Sequence, residues 1–209
     1  MPLYKTIAVT PKTKVYVWKI TESFQTLFDA VVLNENSQIR LAKMKSEMHQ
    51  RGFLSVRKLL QEAGFSDHEL YYDSFGKPHL NNGLHISITH SHHFSALIIS
   101  NENCGIDIEM QREKIIKIAH KFTHFENEFL DNQSSDYIQK LTVIWGIKEA
   151  IFKIRNEVGI SFKDHISVAP FEINQNQVSA KLHINETNCF FASHFVSFEA
   201  FTLVYAFQK

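Results

Sequence analysis

Cysteine is scarce in this sequence: Cys104 and Cys189 are the only two in 209 residues. A disulfide framework is therefore not expected, and both thiols, set in apolar strand-like runs, read as small buried hydrophobes. Seven glycines and four prolines leave little room for long linkers or low-complexity tracts. No apolar run approaches the roughly 20 residues that cross a bilayer. The opening MPLYKTIAVTPKTKVYVWKI lacks the apolar stretch and small-residue cleavage site of a signal peptide. A cytoplasmic protein without membrane association is expected. Charge of one sign is missing too: 22 Lys and Arg balance 22 Asp and Glu. That removes the bulk electrostatic case for a nucleic-acid partner. What remains is ordinary for a globular protein, 44% hydrophobic and 21% charged with 18 Phe, and long enough for a sizeable core.

The apolar pattern alternates between two kinds of segment. Residues 4–9 and 13–19 cluster β-formers around Pro11 and read as strands. Thr21 to Leu33 carries a helical pattern through Phe24, Leu27, Phe28, Val31 and Val32. A long helix with an excess of positive charge is predicted from a cap at Ser37 to just before Gly64. Short strands follow near 69–72, 84–90, 94–100 and 103–109, with a turn at Gly76–Pro78; their tight connections favour antiparallel pairing. Helices are predicted at about 112–121 and 124–131, the second opened by a capping box of Thr123 and Glu126. The strongest helix runs from Asp136 to Asn156, and four strands are expected near 166–170, 178–184, 189–197 and 200–207. This order suggests two α+β halves joined near residues 101–104.

Five short stretches carry residues of chemical interest. In CGIDIEM, Asp107 and Glu109 stand two apart in an apolar strand and so share a face. Two carboxylates there repel unless a cation or proton lies between them; the pattern fits either a hard divalent ion or two surface acids on a wet edge. In WGIKEAIFK, Glu149 and Lys153 stand four apart on one helix face, with Trp145 one turn earlier. Taken alone that is an exposed ion pair, or, given the bulky residues around it, an acid and a base lining a cleft. FGKPHL presents Lys77 on a turn stiffened by Pro78, and ISITHS ends a strand with Thr89 and His90; hydroxyl, lysine and imidazole are all ordinary phosphate ligands. HSHH raises zinc, but no Cys or His group follows at ligand spacing.

FGKPHL, ISITHS, GIDIE and WGIKEAIFK, in that order along the chain, resemble the motifs of the surfactin-synthetase-activating type of 4′-phosphopantetheinyl transferase, from the basic helix near Arg40 to about residue 165. The resemblance implies an α+β fold of two similar halves about a pseudo-twofold axis, with coenzyme A in the cleft between them, and a monomer. Residues 1–102 would form the half with the basic helix, the GKP turn and the TH strand end. Residues 103–209 would carry the GIDIE strand and the WGIKEAIFK helix. It implies an enzyme that moves the phosphopantetheine arm of its co-substrate, coenzyme A, onto a serine of an acidic apo-carrier protein, releasing adenosine 3′,5′-bisphosphate. Asp107, Glu109 and Glu149 would then hold Mg²⁺, with Mn²⁺ as a substitute. Glu149, Lys153 and Asp107 would be catalytic, Glu149 as base and Lys153 at the departing phosphate. Lys77, Pro78, Thr89 and His90 would grip coenzyme A, with Lys148 as a further phosphate contact and Arg40, Arg51 and Arg57 as basic nucleotide contacts. Asp107 and Glu109 would point into the cleft, and Ile106 and Ile108 into the core. Two positions depart from the pattern: Thr89 where Ser is usual, and Gly146 where Ser, Thr, Cys or Ala is typical. A glycine inside a helix costs about 1 kcal/mol relative to alanine. The alternatives are a non-catalytic protein that binds coenzyme A and carrier, and a metal-dependent pyrophosphate hydrolase.

Overall fold

A computed structural model describes residues 3–209. The chain divides into two compact units, one ending at Glu102 and the other spanning Asn103–Lys209. Among the described residues no helix is long and apolar enough to cross a membrane.

The first unit is built on an antiparallel sheet in the order β1-β2-β6-β5, from β1 (Leu3–Thr10), β2 (Thr13–Lys19), β5 (His85–Ser91) and β6 (Phe94–Ser100). β6 is central and buried along its whole length, as a continuous apolar strand should be. A small hairpin pairs β3 (Leu70–Tyr72) with β4 (Pro78–Leu80). Its connecting turn is organised by Asp73, whose Oδ1 accepts from the backbone N–H groups of Phe75 and Lys77, both at 2.9 Å.

The helices of this unit are shorter than the sequence pattern suggests. α1 covers only Phe24–Asp29, capped by Ser23, whose Oγ accepts from Thr26 N; the β-branched Val31 and Val32 lie beyond it. The predicted long helix is two, α2 (Glu35–Ala42) and α3 (Glu47–Glu62). Leu41 is buried, but Lys45, Met48 and His49 further along are exposed. The apolar stripe is thus interrupted until Phe53, and nothing rewards one continuous helix. Nor is Ser37 the cap. Asn34 caps α2 by accepting from Ser37 N at 2.8 Å, while the Ser37 hydroxyl donates to Asp67 Oδ1 at 3.1 Å.

The second unit carries an antiparallel sheet in the order β7-β11-β10-β9-β8. Its strands are β7 (Cys104–Met110), β8 (Ile166–Val168), β9 (Gln177–Ile184), β10 (Thr187–Phe198) and β11 (Phe201–Gln208). α4 (Lys114–Ile118) is brief, and α5 (Tyr137–Arg155) is the dominant helix. α5 is buried on most sides, with Leu141, Ile144, Ile147, Ile151 and Ile154 in one core with Phe191 and Val204. Asn156 ends it in the left-handed conformation. The expected capping box at Thr123 does not form, and residues 124–131 hold only a 3-10 turn at Phe125–Glu128. Thr123 Oγ1 donates to Ala119 O instead, and Glu126 is drawn into the interior.

Candidate active site

β7 sits at one edge of the second sheet and pairs with β11, placing Gly105 opposite Ala206, Asp107 opposite Val204 and Glu109 opposite Thr202. Alternation puts Gly105, Asp107 and Glu109 on one face. That face meets α5. A methyl added at Gly105 would lie 2.0 Å from Ala150 O, and one at Gly146 would lie 2.7 Å from Val204 Cγ2 and 3.8 Å from Asp107 Oδ2. Gly105 therefore lets strand and helix backbones approach closely, and Gly146 leaves room for the Val204 side chain, which accounts for a glycine inside α5. Ile106 and Ile108, on the opposite face, are fully buried.

This packing gathers the charged residues. Lys153 Nζ donates to Asp107 Oδ1 and to Ile106 O, both at 2.8 Å. Asp107 itself is 5% exposed. Glu149 is pushed up to about 7, first by desolvation and then by repulsion from Asp107 and Glu109, with Lys153 opposing. Glu109 also borders a cavity of about 200 Å³ that has Arg112, Lys114 and Trp145 in its wall. Among the described residues, no three His, Cys, Asp or Glu side chains form a cage able to hold an ion by themselves. Mg²⁺ rarely needs one, since it takes one or two carboxylates and completes its octahedron with phosphate oxygens and water. Burial, and after it the repulsion of Asp107 and Glu109, disfavours the Glu149 carboxylate, and oxygen donors in that situation have the chemistry to fit such an ion.

In the first unit, Thr89 is buried and His90 is exposed at the end of β5. The His90 ring rests on α3 at Gly52, where an added methyl would come within 3.0 Å of it, and the His49 ring lies 6.2 Å away. Lys77 and Pro78 lie on the Asp73 turn, with Gly76 at φ +84°. Arg40 is exposed on α2 with its guanidinium 4.4 Å from the Tyr72 ring centroid. Arg51 is half-buried and donates to Ile20 O at 3.4 Å.

Two sequence-predicted ligands are placed elsewhere. Arg57 is 3% exposed, paired with Asp67 at 3.0 Å, donating to Ser37 Oγ, and stacked 3.5 Å from the Phe53 ring centroid. Lys148 is fully buried against Glu126 at 2.8 Å and donates to the Phe122, Phe162 and Ile166 carbonyls at 2.6, 2.9 and 2.7 Å. With four acceptors around three N–H groups, it has none left for a phosphate. Both are corrections to the nucleotide-binding set. The sequence reading missed Gly105, although a glycine inside a strand signals close backbone approach. It also missed Glu126 as a buried partner, for which the local pattern offered a cap instead.

Residues 103–206, the stretch that holds β7 and α5, match the family model described as ACPS, 4′-phosphopantetheinyl transferase superfamily. The chain is 32% identical over 138 residues to the 4′-phosphopantetheinyl transferase gsp of Aneurinibacillus migulanus, a match covering 63% of this chain and 56% of that relative. It is 26% identical over 187 residues to the 4′-phosphopantetheinyl transferase ffp of Bacillus subtilis, covering 83% of this chain and 80% of the relative. With the acids of β7 set against Glu149 and Lys153 of α5, residues 103–206 of this chain belong to the 4′-phosphopantetheinyl transferase superfamily.

Proposed function

We propose that this chain transfers the 4′-phosphopantetheine arm of coenzyme A to a serine of an apo-carrier protein, with Mg²⁺ held by Asp107, Glu109 and Glu149. The observation that carries this is the packing of β7 on α5, which sets Lys153 Nζ 2.8 Å from Asp107 Oδ1 and leaves the Glu149 carboxyl desolvated beside Asp107 and Glu109. Burial pushes the metal-free Glu149 carboxyl up to about 7; a bound ion would favour its carboxylate form, the form that can accept a proton. Its acid neighbours are what a cation bound to a pyrophosphate requires. The names of the two relatives support the same reaction.

Each residue then has a task. Glu149 takes the proton of the carrier serine as its oxygen bonds to the β-phosphorus of the pyrophosphate, and the bond from that phosphorus to the bridging oxygen breaks. Lys153 is held against Asp107 and the Ile106 carbonyl, where it is pre-oriented to stabilise or protonate the departing phosphate. The metal, when bound, supplies charge neutralisation on the phosphate oxygens. Coenzyme A is assigned to Lys77, Pro78, Thr89 and His90, with Arg40 and Arg51 as further basic contacts. Arg112 and Lys114, beside Glu109, give an acidic carrier a complementary rim. We assign the chain to the surfactin-synthetase-activating type, as a cytoplasmic monomer.

The test is incubation with a panel of apo-carrier proteins, coenzyme A and Mg²⁺, followed by intact-mass analysis of the carrier. Transfer is expected on at least one carrier and is abolished by EDTA. Coenzyme A binding without modification of any carrier would point to a binding protein, and metal-dependent cleavage of coenzyme A with the carrier unchanged would point to a hydrolase.

A further inference from the structure

Lys148 and Glu126 form an ion pair with both side chains at 0% exposure. Burial pulls the Lys148 ammonium below its ordinary range, with Glu126 opposing. A buried pair of this kind returns little net stability, because desolvation of both charges offsets their attraction. What it supplies is fixed position. The Glu126 carboxylate is itself held by Val168 N at 2.9 Å and His124 N at 3.2 Å.

The acceptors that Lys148 joins come from separate stretches of chain, at Phe122, Phe162 and Ile166. On α5, Trp145, Lys148, Glu149 and Phe152 follow the i, i+3, i+4, i+7 spacing and share one stripe. The Phe162 ring lies 5.5 Å from Trp145 and 5.8 Å from Phe152, and so spans the part of the stripe that holds Lys148 and Glu149. Phe122 lies edge-on to Trp145 at 5.2 Å. Phe162 belongs to the segment 156–165, which contains only turns and irregular backbone.

We propose that Lys148 is a positioning residue for the transfer: its ammonium clamps the Phe122 and Phe162 backbones to α5 and so holds an aromatic wall along the stripe that presents Glu149. The proposal rests on the transfer reading above. Substrate geometry at Glu149 then depends on a residue that touches neither coenzyme A nor carrier.

The test is the double variant Lys148→Met/Glu126→Gln, which removes both charges without burying one alone. The expected result is a folded protein whose kcat for carrier modification falls about 100-fold, the cost of a misplaced reacting group, with KM for coenzyme A unchanged. Amide exchange in 157–165 should accelerate. An unchanged kcat, with effects confined to the melting midpoint, would overturn the proposal. If the double variant fails to fold, Phe162→Ala keeps the ion pair and removes the wall. It should show the same loss in kcat, and a wild-type kcat there would overturn the proposal. If the wild type itself modifies no carrier, the transfer reading fails but exchange still decides. Acceleration confined to 157–165 supports the clamp, and unchanged exchange refutes it.

Discussion

Consider the methyl group that alanine would add at Gly105. Its carbon would lie 2.0 Å from Ala150 O, 2.8 Å from the Ala150 carbonyl carbon and 3.1 Å from Ala150 Cα. A close carbon–oxygen contact is about 3.3 Å, so strand and helix must separate by roughly 1 Å. Neither side yields easily. β7 is locked to β11 by pairing on both sides of Gly105, at Cys104–Phe207 and Ile106–Tyr205, and the clashing atoms of α5 are backbone. Overpacking of this kind costs about 1–3 kcal/mol; rigid backbone on both sides places Gly105→Ala at about 3. At 2–4 °C per kcal/mol for a chain of this size, the melting midpoint should fall by about 6–12 °C. The same separation moves Lys153 and Glu149 away from Asp107, so transfer should fall about 100-fold in the protein that remains folded. Gly146→Ala is the control. Its added methyl meets the buried Val204 side chain, at 2.7 Å from Cγ2 and 3.2 Å from Cβ, rather than backbone, and alanine returns about 1 kcal/mol of helix propensity, so its midpoint should fall by less than that of Gly105→Ala. Calorimetry on both variants decides; Gly105→Ala with a wild-type midpoint and wild-type activity would refute the close-packing argument.

Glu149 should make the metal-free protein less stable as pH rises. Its folded-state value of about 7 exceeds its ordinary 4.5, so the contribution of its protonated form is complete below about 4.5 and is lost as pH climbs through about 7. At 1.36 kcal/mol per pH unit the loss is at most about 3 kcal/mol. Denaturant midpoints across this range should show it for the wild type and not for Glu149→Gln; equal slopes would contradict the placement. Arg57→Ala should destabilise by about 3–5 kcal/mol, because it leaves Asp67 buried and unpaired. Calorimetry should find its coenzyme A affinity, per folded molecule, unchanged; a selective loss of affinity would restore Arg57 to the binding set.

Local pattern made β7, the β5–β6 pair and α5 legible, since alternation and helical spacing act over a few residues. It also singled out Asp107, Glu149 and Lys153, which the fold brings together. The misread polar residues share one cause, partners distant in sequence. Ser37 looks like a cap until Asp67, 30 residues on, takes its hydroxyl. Thr123 and Glu126 spell a capping box, but Lys148 and Val168 N claim the carboxylate. Arg57 and Lys148 look like phosphate ligands because a basic residue in a helix shows its charge and not its burial. The break between α2 and α3 was written in the exposed Lys45, Met48 and His49, though their apolar flanks concealed it.

The central claim is that the acids gathered between β7 and α5 transfer a phosphopantetheine arm. Its most direct test follows modified carrier and adenosine 3′,5′-bisphosphate in one reaction, for wild type and for Glu149→Gln. The wild type should form the two products in equal amounts, and Glu149→Gln should lose about 100-fold or more in rate while still binding coenzyme A. Bisphosphate released without modified carrier, or a Glu149→Gln variant working at the wild-type rate, would contradict the account.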